Sequence, residues 1–168
     1  MRKLFWILFA VVFLFIFINF YIFVSFIYPE ISSLPLAIID RHAFVVCQEV
    51  MASPIVKRKD TSFAVYYGFY DLPRTPNGNA FTMSDFHGVR RNRVFLTPKA
   101  VKSRYLKVAV AHELGHIIKA TSDELVADRF AVELLKDKNV VRDGLLHFGL
   151  TESSERIVAL SEKTLPAQ

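Results

Sequence analysis

The stretch Ala111–Leu135, AHELGHIIKATSDELVADRFAVELL, decides how the folded part of this chain is organised. It contains two histidines four positions apart, His112 and His116, with Glu113 between them. Residues i and i+4 of an α-helix lie on one face, so both imidazoles can reach a single ion. Apolar residues flank the pattern on both sides, which predicts a buried helix whose polar side chains need partners.

This spacing suits a catalytic zinc ion. Zinc binds neutral imidazole nitrogen readily, and a catalytic site keeps one position open for water. Glu113, next to His112, is placed to take a proton from that water and to hand it later to a leaving amine. The pattern therefore predicts peptide-bond hydrolysis with Glu113 as the general base. The alternative is a helix surface on which the two histidines are satisfied by hydrogen bonds alone.

Glu124 is the candidate third ligand, eight residues after His116. In a continuous helix this separation is about 12 Å, so the helix has to break between them. The polar run 121–123 supplies capping residues at that place. It also allows a capping box from Thr121 to Glu124, in which the carboxylate serves only the backbone. Asp128, one turn later, favours the ligand role because it can accept a hydrogen bond from a ligand histidine.

The N-terminus carries the second strong signal. Hydrophobic residues make up 52% of the 168 residues, and the excess lies in residues 4–28, which hold no charge. As a helix this segment would be about 37 Å long, more than the roughly 30 Å of a bilayer core. A cleaved signal peptide is the alternative, but its apolar core would run only about 7–15 residues. We expect an N-terminal membrane anchor over 1–28 that contacts the lipid bilayer through 4–28.

Flanking charges predict the orientation of this anchor. Arg2 and Lys3 precede it, whereas Glu30, Asp40 and Arg41 follow it. Positive charge favours the cytoplasmic side of a span. The expected product is a single-pass membrane protein with a cytoplasmic N-terminus and its catalytic domain on the other side, periplasmic in a bacterium.

Beyond the anchor, a linker over 29–35 is expected to lead into one domain over 36–168. The polar stretch 84–92 is predicted to be an insertion, and whether it forms a lid stays open. Apolar periodicity, β-branched residues and turn signals predict the other elements. These are a helix over 36–51, strands over 63–70, 79–83 and 93–97, a loop over 72–79, and a helix that starts at Thr97-Pro98.

The charge balance gives no reason to predict a nucleic-acid partner. Arg2 and Lys3 are the only charged residues before Pro29, which leaves 19 of the 21 basic residues against 16 acidic ones. The three arginines within 90–93 lack an aromatic stacking platform of recognisable spacing. We therefore expect an exposed loop there and no nucleic acid.

Cys47 is the only cysteine, so an internal disulfide is excluded. A lone cysteine in an apolar helix is more often a small core residue than a nucleophile. We expect Cys47 to be buried.

The segment Glu124–Asp128, ELVAD, fits the ExxAD motif that follows HExxH in gluzincin metallopeptidases of the HtpX and CAAX prenyl protease family. Further stretches in the same order resemble that family's NAF motif, edge strand, active-site helix and terminal ERI helix. They are Asn79–Phe81, Arg93–Thr97, Val108–His112 and, more weakly, Ser154–Ile157. The resemblance covers roughly residues 62–135, and its specificity lies in HExxH and ExxAD.

This resemblance implies an α+β protein, in a short single-span form. An N-terminal transmembrane helix would be followed by a small zincin-like domain with a short sheet and an HExxH active-site helix. The strand 93–97 would be the edge to which an extended substrate adds itself. The implied site consists of a Zn²⁺ ion with ligands His112, His116 and Glu124, a general base at Glu113, and Asp128 as the outer partner of a ligand histidine.

The expected function is that of a membrane-anchored zinc-dependent endopeptidase acting on a protein or peptide substrate. One alternative is a non-catalytic zinc-binding interaction protein with the same membrane anchor, and another is a structural membrane protein with a fortuitous motif. The group that stabilises the transition state stays open among four candidates: His147, His87, Tyr105 and Arg129.

Overall fold

The computed structural model describes residues 2–27, 29–57, 60–67, 80–83 and 92–161. These residues form an α+β structure with a long N-terminal helix. The helices are α1 (Arg2–Ile27), α2 (Leu36–Ile39), α3 (Arg41–Met51), α4 (Pro98–Val101), α5 (Leu106–Lys119), α6 (Glu124–Leu135), α7 (Lys138–His147) and α8 (Glu155–Ser161). The strands are β1 (Ser33–Pro35), β2 (Thr61–Tyr66), β3 (Ala80–Met83) and β4 (Asn92–Leu96).

Helix α1 occupies the segment predicted to be the anchor. Among the described residues, it is the one helix whose length and composition suit a membrane crossing, and its apolar window runs over Arg2–Tyr21. The rest of the protein buries none of that window. The predicted N-terminal helix is therefore confirmed as a helix long and apolar enough to span a bilayer.

The four strands form one sheet in the order β1-β2-β4-β3. The central pair, β2 and β4, is parallel, with Phe63 opposite Val94, whereas the two outer strands run antiparallel to their neighbours. The expectation that strand 93–97 is an edge is wrong, because β3 pairs with β4 on its far side. Within β4, Val94, Phe95 and Leu96 are fully buried, so both faces of the strand are covered along these residues.

Residues 29–51 differ from the prediction in two ways. The segment 29–35, predicted to be a linker, contains a 3-10 turn over Pro29–Ser32 and strand β1, so the sheet begins directly after α1. The helix predicted over 36–51 is divided at Asp40, whose backbone is extended. The Asp40 carboxylate accepts a hydrogen bond from the Ala43 amide at 2.9 Å, which caps α3.

Three other predicted elements are confirmed with shifted bounds. Strand β2 begins two residues before the predicted range 63–70 and ends at Tyr66. Strand β3 covers most of 79–83, and β4 covers most of 93–97. Thr97 caps α4 through its side chain, with Pro98 at the first helical position. The predicted loop 72–79, residues 84–91 of the insertion, and His87 lie outside the described residues.

Helix α5 is the centre of the domain. Nine of its 14 residues are buried, and it contacts α3, α4, α6, α7, β3 and β4. Because neighbours cover it on several sides, its polar side chains lie in a largely dry environment where partners are needed. The predicted buried helix is therefore confirmed.

Cys47 is a buried free thiol on α3, as predicted. Burial raises its pKa to about 12, above the roughly 8.5 of an exposed thiol. Between these values the unfolded chain releases a proton that the native chain keeps. The thiol's contribution to stability is therefore complete below about pH 8.5 and is lost as the pH rises from there towards about 12.

We expect a disulfide reagent at pH 8 to leave Cys47 unmodified in the folded protein and to modify it after denaturation. The control is Val158→Cys, at an exposed position of α8, which should react at once and leave the second thiol protected. Equal reaction rates for Cys47 in folded and denatured protein would contradict its burial.

Candidate metal centre

The break between the two motif segments is built by the backbone at residues 119–123. Helix α5 ends at Lys119, and Ala120 takes the left-handed conformation with φ 50° and ψ 49°. Asp123 then caps α6, its carboxylate accepting a hydrogen bond from the Leu125 amide at 2.8 Å. The predicted break is therefore confirmed, and it turns α6 back against α5.

The cap of α6 decides between the two interpretations of Glu124. The capping residue is Asp123 and not Thr121, so Glu124 is the first helical residue and not the third. A capping box from Thr121 is therefore wrong. The Glu124 carboxylate instead points at the histidines of α5.

Three ligand atoms converge where α5 meets the start of α6. The Nε2 atoms of His112 and His116 lie 3.1 Å apart. Glu124 Oε2 lies 3.1 Å from the first of these nitrogens, and Glu124 Oε1 lies 3.5 Å from the second. Ligand atoms bound to a tetrahedral zinc ion at about 2.0–2.1 Å are themselves separated by about 3.3–3.4 Å. The nitrogen–nitrogen separation and the two nitrogen–oxygen separations, one to each oxygen of Glu124, lie near that spacing. One ligand atom from each of the three residues lies within 4.8 Å of the others.

Both histidines have their other ring nitrogen occupied. His112 Nδ1 lies 2.8 Å from Asp128 Oδ1, and His116 Nδ1 lies 2.9 Å from the backbone oxygen of Thr121. Since each of these oxygens accepts a hydrogen bond from an Nδ1–H group, the Nε2 atoms are directed at the point of convergence. The lone pairs of two such nitrogens 3.1 Å apart repel each other unless a cation or a proton lies between them.

The charges around this point favour a cation. Burial alone would lower the pKa of His112, but its hydrogen bonds to Asp128 and Glu124 and the nearby Glu113 raise that pKa to about 9. Burial and the charge of His112 lower the pKa of His116, while the hydrogen bond from His112 lowers the pKa of Glu124. Three carboxylates, those of Asp128, Glu124 and Glu113, thus act on this pair of rings. Arg156 compensates only one of these negative charges, so a cation between the rings would be favoured.

Asp128 is fully buried and accepts hydrogen bonds from two side chains, His112 and Arg156. Arg156 on α8 binds it in a bidentate manner, with Nε 2.7 Å from Oδ2 and Nη2 2.8 Å from Oδ1. Burial alone would raise the pKa of Asp128, but Arg156 and His112 lower it below its usual range. The carboxylate is therefore ionised, and it fixes the orientation of the His112 ring.

Arg156 also reaches the candidate ligand Glu124, with its Nη1 2.9 Å from Oε2. One guanidinium thus holds both acidic side chains of α6 that face the histidines. Sequence reasoning did not assign Arg156 a role in the site, although it noted residues 154–157 as a weak resemblance. No local pattern could have found the contact, because Arg156 follows Asp128 by 28 positions.

Glu113 lies on α5 beside this cluster and is buried. After burial and their hydrogen bonds, the negative charge of Glu113 also contributes to raising the pKa of His112 and of Arg156. Half of the Glu124 side chain is exposed, whereas the histidine side chains are only 12% and 13% exposed. The point of convergence is therefore open to solvent on the side of Glu124.

Among the described residues, the candidate transition-state groups Tyr105, His147 and Arg129 form no hydrogen bond or ion pair with the three converging side chains. The rings of Tyr105 and His147 pack on each other with centroids 5.1 Å apart. Arg129 is exposed on α6, and His87 lies outside the described residues. No assignment among the four candidates follows.

Gly115 sets the distance between α5 and α6. A Cβ atom at this position would lie 2.8 Å from the Cα atom and 2.9 Å from the carbonyl oxygen of Ala127. The small side chain of Ala127 lets the two helices approach, and the close contact requires glycine opposite it as well. The approach carries Glu124 and Asp128 to the histidines.

Gly115→Ala is expected to cost about 1–3 kcal/mol of the free energy of unfolding through overpacking. Alanine has the higher helix propensity, which offsets roughly 1 kcal/mol of that cost. The substitution should also weaken metal binding, because α6 is displaced from α5. The matched control is Gly144→Ala on α7, whose Cβ would lie 2.8 Å from the Val108 side chain. Thermal unfolding should show that Gly115→Ala and Gly144→Ala both destabilise the protein. Zinc titration should show weaker binding only for Gly115→Ala. Equal zinc affinities of the two variants would contradict the role of Gly115 in the site.

Comparisons of this chain with protein-family models, with curated proteins and with solved structures find no match. The site is consequently described from its own geometry. Among the described residues, His112, His116 and Glu124 form the group of side chains that could hold a metal ion.

Proposed function

We propose that this chain is a membrane-anchored zinc-dependent endopeptidase related to the gluzincins. The observation that carries the proposal is the convergence of two Nε2 atoms and one carboxylate at separations of 3.1–3.5 Å, beside the buried Glu113. A mixed nitrogen and oxygen donor set with three protein ligands is typical of catalytic zinc sites. A structural zinc site would usually supply four protein ligands.

The residues have distinct roles in this proposal. His112, His116 and Glu124 would hold the zinc ion, which supplies a Lewis acid that polarises a peptide carbonyl and acidifies water. Glu113 takes the proton from the attacking water and delivers it to the leaving nitrogen. Asp128 keeps the His112 ring oriented, and Arg156 keeps both carboxylates of α6 in place.

The sheet also suggests how an extended peptide substrate would bind. Of the described strands, β1 and β3 are the outer ones, and β3 contacts the site-bearing helix α5. A peptide that adds to the sheet by main-chain hydrogen bonds would therefore pair with β3. The flanking charges of α1 support a cytoplasmic N-terminus and a domain on the opposite side of the membrane, periplasmic in a bacterium.

Metal content tests this proposal directly. The full chain is purified in detergent, incubated with Zn²⁺ and separated from free metal. We expect it to retain one zinc ion per chain and to hydrolyse peptides until a chelator is added. His116→Ala should lose the zinc, whereas the control His147→Ala, on α7, should keep it. Stoichiometric zinc in His116→Ala would contradict the ligand assignment. Bound zinc without hydrolysis would favour the non-catalytic zinc-binding alternative.

A further inference from the structure

Four large apolar side chains are exposed within the nine residues 31–39, shortly after α1. They lie on the 3-10 turn, on β1 and on α2, elements that contact one another in sequence. Their exposed fractions are 52% for Ile31, 50% for Leu34, 78% for Ile38 and 40% for Ile39. We call these four residues the apolar shelf, and we propose that it seats the domain on the surface of the same bilayer that α1 enters.

The chain holds the shelf close to the point where α1 leaves the membrane. Three residues, 28–30, connect the end of α1 to Ile31, and an extended chain spans at most about 3.6 Å per residue. The 3-10 turn contacts both α1 and β2, and the Tyr67 amide donates to the Ser32 carbonyl at 2.9 Å. The shelf therefore cannot move far from the membrane surface.

The end of α1 also lies beside the sheet. Burial raises the pKa of Tyr66 on β2, a hydrogen bond with Ser32 lowers it, and the neighbouring Tyr21 of α1 raises it again. Tyr21 lies six residues before the last residue of α1, in the C-terminal part of that helix. The edge of the sheet that carries the shelf therefore lies beside the C-terminal part of α1, where the chain would leave the bilayer.

A bilayer is the occupant that this position favours. Several large apolar side chains exposed within one short segment are uncommon on soluble surfaces and often mark an interaction site. Arg41, which begins α3 directly after the shelf, is exposed and can bind headgroup phosphates while apolar side chains enter the acyl boundary. A second copy of the chain is the competing occupant, and the experiment below separates the two. This proposal rests on the membrane anchor of the proposed function and not on its catalysis.

The test places an environment-sensitive fluorophore on single introduced cysteines of the full chain in vesicles of phosphatidylcholine and phosphatidylglycerol. The positions are Phe13→Cys within α1, Ile38→Cys on the shelf, and Val158→Cys, an exposed apolar position of α8. Cys47 is buried and stays unlabelled in the folded protein. Lipids with brominated acyl chains, which quench the fluorophore on contact, provide the readout.

We expect bromolipid to quench the probes at positions 13 and 38 and to leave the probe at 158 bright. Adding Arg41→Glu should weaken the quenching at position 38 and not at position 13. The proposal is overturned if the probe at 38 is quenched no more than that at 158, or if the probe at 13 is not quenched. It is also overturned if emission at 38 shifts only as protein density in the vesicle rises, because a second copy then covers the shelf.

Discussion

Glu113→Gln is expected to lower kcat for peptide hydrolysis by about 10²–10⁴-fold, the contribution of a positioned general base. The amide keeps the size of the side chain but cannot take a proton. Because Glu113 is not among the three converging ligands, the variant should bind zinc as the parent does. Turnover of a peptide substrate and metal content, measured on the same preparation, check both expectations.

The control for this variant is Glu133→Gln, the same change on the exposed face of α6, where the carboxylate lies 3.7 Å from Lys119. It should leave kcat unchanged. Undiminished hydrolysis by Glu113→Gln would refute the assigned base. Loss of zinc from Glu113→Gln would show that Glu113 supports metal binding. A fall in kcat would then not demonstrate that Glu113 is the general base.

Arg156→Leu is expected to reduce the free energy of unfolding by about 3–5 kcal/mol, the range for breaking a buried ion pair by removing one partner. Asp128, which is 1% exposed at its side chain, would keep a negative charge with its bidentate partner gone. Chemical denaturation in detergent, followed by circular dichroism, measures the loss. Zinc affinity should fall as well, by about 10–100-fold, since Asp128 and Glu124 would no longer be fixed.

The matched control is Arg142→Leu, which removes an arginine whose partner Glu152 has a 65% exposed side chain. An exposed pair contributes only about 0–1 kcal/mol. Combining Arg156→Leu with Asp128→Asn should recover part of the lost stability, because no uncompensated charge is then buried. Equal effects of Arg156→Leu and Arg142→Leu would contradict the central role of Arg156.

Local features of the site were accessible from the sequence because they depend on short-range geometry. The spacing of His112 and His116 places them on one helical face, and the length of the separation to Glu124 demands a break in the helix. The structure has that break, and Asp128 lies 2.8 Å from His112 as the spacing suggested. Which polar residue caps α6 was not decided, since Thr121 and Asp123 are both good capping residues.

Strand order was not accessible in the same way. The sequence indicates where β3 and β4 lie, but alternating residues describe only the two faces of a strand and not its neighbours. The pairing of β3 on the outside of β4 therefore overturned the edge expected at 93–97. The division of residues 36–51 at Asp40 was missed for a related reason. The helical spacing of apolar residues continues across Asp40, although the backbone of Asp40 is extended.

By itself, the sequence determined the apolar N-terminal helix, the helix that carries HExxH, the turn after Lys119 and the set of donor residues. Each of these follows from periodicity, length or capping within a few residues of chain. Only the tertiary structure decided the sheet order, the close approach of α6 to Gly115 and the contact of Arg156 with Asp128 and Glu124. These join residues distant along the chain, and their positions are fixed by the packing of whole elements around α5.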